Sequence, residues 1–141
     1  MQTVTAQERH RPERPLEYLA GPILKADSAW EVLTAAGLVL ATVSSVTRRL
    51  GAATLRPWIL PVAVAAGCLA LAAFLLYASK QRHPADACRP LGVANLAAAA
   101  LAIALMIVFP DAGHPYALAL AIASTGCAIF AVLEWAVSHH G

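Results

Sequence analysis

Glu134 is the one acid that falls late inside a long apolar run, beside Trp135 and about one helical turn from the end of that run. A carboxylate held in hydrocarbon is costly and marks ion or proton pathways. One this near a helix end can instead reach the lipid headgroups, and that interfacial placement is the expectation here. Asn95 lies about two turns into another apolar run, while Ser124 and Thr125 sit in the middle of the last one. At such depths an amide or hydroxyl bonds a neighbouring helix or its own backbone. Glu134, Asn95, Ser124 and Thr125 together form the candidate polar or transport site, although the last three carry no acid–base chemistry of their own.

Other chemistry is excluded by residue type and position. His10, His83, His114, His139 and His140 all fall outside the apolar runs, so haem held by intramembrane histidines is disfavoured and no cofactor or metal is expected. Cys68 and Cys127 lie inside apolar runs and Cys88 in a polar connector, with no CxxC pair. They read as small hydrophobes. The chain has no HExxH, GxSxG or phosphate-binding glycine loop. No nucleophile can be named with its base, so no catalytic residue is assigned and an enzyme is disfavoured. A net charge of +2 is too small to argue for nucleic acid.

The elements that hold these residues follow from the distribution of charge. The chain has 141 residues, enough for one domain, with 60% hydrophobic and 13% charged side chains. Soluble domains carry about 25% charged residues, and a soluble chain this short lacks the interior to bury so much apolar surface. The segments 57–79, 90–110 and 112–133 contain no Asp, Glu, Lys or Arg. About 20 apolar residues in a helix cross a hydrocarbon core of roughly 30 Å. The expectation is an all-α, integral membrane four-helix bundle with spans at 29–47, 58–77, 90–109 and 116–137.

Local signals set those boundaries. Ser28 and Glu31 have capping-box spacing, which starts the first span there. Trp30 then belongs at the headgroup level with its N–H in water. Pro57 suits a first helical position, Pro61 bends the entry to the second span, and Trp58 and Tyr77 bracket that span. The short stretch 111–115 makes the third and fourth spans antiparallel neighbours. Residues 1–28 read as a polar tail without a signal-peptide core, so the first apolar run is a retained anchor. Within the tail, Leu16, Leu19 and Ile23 share a helical face in segment 16–26, an interfacial segment or ordered loop interrupted by Gly21-Pro22.

Lys and Arg set the orientation. Arg9, Arg11, Arg14, Lys25, Lys80, Arg82 and Arg89 would lie on one side, and Arg48, Arg49 and Arg56 on the other. The richer side is cytoplasmic, which places both ends inside (N-in/C-in). Small residues recur every fourth position at Gly37, Ala41 and Ser45, at Ala63 and Gly67, and at Ala119, Ala123 and Cys127. Such stripes let helix backbones approach closely, within the bundle or against another membrane protein. The second and fourth spans share Pro-aromatic, Gly-Cys and aromatic-Ala pairs, which shared membrane composition explains more simply than the alternative, a duplicated two-helix hairpin.

In length and four-helix format the chain is similar to small multidrug transporters, whose mechanism rests on a carboxylate in the middle of the first helix. Here Glu31 stands at the start of the expected first span, so the resemblance stops at format. The leading functional expectation is an accessory or structural subunit of a larger membrane complex, because no charge cluster is expected within the spans. The alternative is a small-solute or ion transporter or exporter working as an oligomer. The expected partners are the lipid bilayer and other membrane subunits or further copies. The expected location is a bacterial inner membrane, multi-pass, from the alanine and arginine bias.

Overall fold

Alanine and leucine dominate the apolar runs, and such residues lose little freedom in a helix. The structure, a computed structural model, describes residues 16–48, 59–108 and 114–139. These form α1 (Glu17–Arg48), α2 (Ile59–Ala78), α3 (Ala85–Val108) and α4 (His114–His139). Each contains a stretch long and apolar enough to cross a membrane. Pro22 and Pro90 each stand at the sixth position of their helix. Each removes one early ladder bond without breaking the helix.

Two boundaries differ from the sequence reading. Segment 16–26 is neither a separate interfacial segment nor a loop: Gly21-Pro22 lies inside α1, and Ala20 and Leu24 are fully buried in the bundle. At 32 residues α1 is about 48 Å long, well beyond one bilayer core. The third helix begins at Ala85 rather than Pro90, and this brings Cys88 out of the expected connector into a buried apolar cluster. The connector between α2 and α3 is tight, with Lys80 N–H bonding the Tyr77 carbonyl and Gln81 N–H the Ala78 carbonyl. His83 in it pairs with Glu17 at the start of α1, Nδ1 to Oε1 3.8 Å. The first connector, the stretch 109–113 and the tail 1–15 lie outside the described residues.

The helices run up-down-up-down. α3 and α4 pack most extensively, as the short connector requires, while α1 lies against both α2 and α4. The polarity of the bundle is the reverse of a soluble protein's. Leu40, Leu101, Ile107 and Val132 are more than half exposed, whereas Asp27, Ser28, Glu31, Thr42, Asn95 and Glu134 are buried. An apolar exterior around a polar interior is what a lipid solvent selects.

Candidate functional site: a buried carboxyl–amide cluster

The inward face of α1 carries Ala20, Leu24, Asp27, Glu31, Ala35, Leu38 and Thr42, all buried. Steps of three and four residues keep them on one stripe. The stripe therefore carries two acids, one turn apart, into the interior. It does so because α1 starts ten residues before Asp27, so Ser28 is no cap. The Ser28 hydroxyl donates instead to the Ala72 carbonyl of α2 at 2.9 Å. Glu31, expected at the helix start, lies near the middle of α1, and the contrast with small multidrug transporters drawn from its position falls away.

Asn95 joins three helices. Its Nδ2 donates to Asp27 Oδ2 on α1 at 2.7 Å and to Glu134 Oε2 on α4 at 3.0 Å. All three side chains are 0% exposed. Glu134 is thus an interior carboxyl, not an interfacial one: it points at α1 and α3, and Val137 beyond it is part of the core. Gly92 gives it room, since a Cβ there would meet the Ala131 carbonyl at 3.2 Å and the Glu134 side chain. Glu31 lies beside the pair and accepts from the Cys127 thiol of α4 at 3.7 Å, with Cys68 of α2 alongside. The buried Cys88 thiol of α3 donates to the Pro84 carbonyl just before its own helix at 3.7 Å.

The arrangement is short of donors. No described Lys or Arg forms an ion pair with Asp27, Glu31 or Glu134. Asp27 Oδ1, Asn95 Oδ1 and Glu134 Oε1 are buried with no hydrogen-bond partner. All three are acceptors, so what the cluster lacks is a proton or a small cation. Two ionised carboxylates on one amide, away from water, would each cost several kcal/mol. One proton held between them leaves a single charge and gives an O–H to an otherwise idle oxygen. Among the described residues, no group of three or more His, Cys, Asp or Glu is placed to hold a metal ion.

The remaining candidate residues are placed apart from this cluster. Ser124 and Thr125 both bond the Ala121 carbonyl of their own helix, at 3.0 and 2.8 Å. They line an open apolar groove between α3 and α4 with Leu96, Ile103 and Val132. Of the small-residue positions, Ala41, Ala123 and Cys127 are buried, and Gly37 and Ala119 are half-buried. Ala63 and Gly67 face outward on α2. The Ser45 side chain lies outside the described residues. Trp30, expected at the headgroup level with its N–H in water, is half-buried against the bundle. Its indole lies across Gly126 of α4, where any Cβ would occupy the same space, and its Nε1 is buried without a partner.

Asp27 and Glu31 are the functional candidates that residue-by-residue reading missed. The signal that finds them is their shared register with Leu24, Leu38 and Thr42. The capping-box spacing at Ser28 pointed the other way, to a helix beginning there. Compared with family models, curated proteins and solved structures, the chain gives no match.

Proposed function

We propose that the chain is a small multi-pass membrane transporter that couples movement of an ion or small solute to a proton held by the Asp27 and Glu134 carboxyls that Asn95 bridges. The observation that carries this reading is one amide bonded to two fully buried carboxyls that have no described cation as counter-ion. Ionisable groups at such depth are expensive, and proteins keep them for ion and proton traffic. A merely structural bundle gains more from apolar packing at the same positions.

The accessory-subunit reading drew support from an interior free of charge clusters. Three buried carboxyls take that support away, so transport takes first place. The membrane setting, N-in/C-in orientation and bacterial inner membrane belong to the same proposal. The outward Ala63 and Gly67 on α2 suit close helix contact with a further copy. Proton-driven flux in proteoliposomes tests the reading. Glu134→Gln keeps the shape and an acceptor for Asn95 but cannot release a proton, and it should abolish driven uptake. Unchanged flux in that variant removes the cluster from the mechanism. Recovery of a stoichiometric partner on native purification, with no flux from the chain alone, would restore the subunit reading.

A further inference from the structure

The bundle is layered along its axis, and the layers are unequal. On the chain-end side of the acids, Ala20, Leu24, Leu75, Ala78, Ala85, Cys88, Leu91 and Val137 form one apolar cluster drawn from all four helices. On the far side Ala35, Leu38 and Ala65 form a smaller cluster, and the other buried apolar residues there among those described, Ala41, Ala99, Ala102 and Ala123, are all alanine. Both layers seal the cluster, whose carboxyls are 0% exposed at Asp27 and Glu134. Beyond the thin layer, hydroxyl groups resume on the same seam. Tyr116 of α4 donates to Thr42 Oγ1 of α1 at 3.1 Å, and Thr42 donates to the Leu38 carbonyl at 2.7 Å. Between the acids and that pair, Thr34 Oγ1 is buried with no partner.

We propose that the Asp27–Asn95–Glu134 cluster is entered from the face opposite the chain ends, along the α1–α4 seam, through the Ala35–Leu38–Ala65 layer. The Thr42–Tyr116 hydroxyl pair is the outermost station of that route. The inference deepens the transport reading and rests on it for the identity of the ligand as a proton. Parting a layer of alanines around the one buried Leu38 exposes less apolar surface than parting Leu24, Leu75, Leu91 and Val137 of the other layer, so the far layer opens more readily. The proton arrives on water, forms an O–H bond with a carboxylate oxygen of the pair, and leaves the water neutral. Release reverses that step, so no other bond changes. Thr42 accepts one hydrogen bond from Tyr116 while donating another to the Leu38 carbonyl, and a hydroxyl can do both at once.

Carboxyl labelling tests the route independently of flux. A water-soluble carbodiimide with an added amine is applied to proteoliposomes sorted by which face of the protein is outward. Modification of Asp27 and Glu134 is then read by peptide mass spectrometry. Leu38→Gly should raise labelling about ten-fold or more, from the far face only, because the layer loses its largest side chain. Leu24→Gly should raise it far less from the chain-end face. Labelling unchanged by Leu38→Gly, or raised more by Leu24→Gly, overturns the route. Tyr116→Phe keeps the ring and the packing, so it reports on the hydroxyl alone. Driven flux should fall several-fold, and unchanged flux removes the outer station. If the labelling pattern holds while flux ignores Glu134→Gln, the route stands and the transport reading fails.

Discussion

Asn95→Ala removes the one amide donor that, among the described residues, the Asp27 and Glu134 carboxyls share. In the native bundle that amide makes two bonds, at 2.7 and 3.0 Å, to oxygens on 0% exposed side chains. The variant leaves the two carboxyls facing each other with only their shared proton between them. Hydrogen bonds to charged groups contribute roughly 1.5–3 kcal/mol each, which gives a loss of about 3 kcal/mol or more for the pair. Interhelical bonds in bilayers average only about 0.6 kcal/mol, because the unfolded helices find other partners. That average would give about 1 kcal/mol for the two. The larger figure applies here, because the pair still carries one buried charge, which is costlier to strand than a neutral acceptor.

Equilibrium unfolding of the purified protein in mixed micelles, titrated with a denaturing detergent, measures the difference. A double-mutant cycle with Glu134→Leu then isolates the bond from the cavity that alanine leaves. The expected coupling between positions 95 and 134 is about 1–2 kcal/mol. A total loss under about 1 kcal/mol, with coupling indistinguishable from zero, would refute the reasoning. The amide would then be one more interchangeable polar contact, and the cluster would lose its claim to be a built site.

Gly126→Ala should destabilise the bundle by about 1–3 kcal/mol in the same assay, since its Cβ needs the space of the Trp30 indole. Gly67→Ala, with nothing near its Cβ, should be neutral or stabilising by up to about 1 kcal/mol; equal effects at the two positions would argue against the α1–α4 seam as described. The exposed apolar exterior predicts that the purified protein aggregates once amphiphile is removed, and a monodisperse sample in plain buffer contradicts a membrane setting. Tags at both ends should be cleaved from the same, cytoplasmic, face of oriented vesicles, and cleavage from opposite faces contradicts N-in/C-in.

Helix number and approximate position were legible in the chain because both follow from quantities that add along it. Three segments free of Asp, Glu, Lys and Arg, each near the length that crosses a bilayer, leave few alternatives to helices. Asn95 was legible as a polar group at depth for the same reason, and Glu134 only as an acid late in an apolar run, expected to reach the headgroups. Their meeting was not. Asn95 and Glu134 are 39 residues apart, and Asn95 and Asp27 are 68 apart. Only the packing of α1 and α3 against α4 places them on one amide.

The start of α1 shows the same division of labour from the other side. Ser28 and Glu31 fit a local capping motif, and Gly21-Pro22 fits a local break. Local preferences of this kind amount to about 1 kcal/mol each. Burying Ala20 and Leu24 against α2, α3 and α4 outweighs them and carries the helix back to Glu17. Once the helix is continuous, Asp27 and Glu31 fall on its inner stripe. Composition along the chain thus determined that four apolar helices form. Contacts between distant segments decided that three acids would face inward, because only those contacts set where α1 begins and which way it is turned.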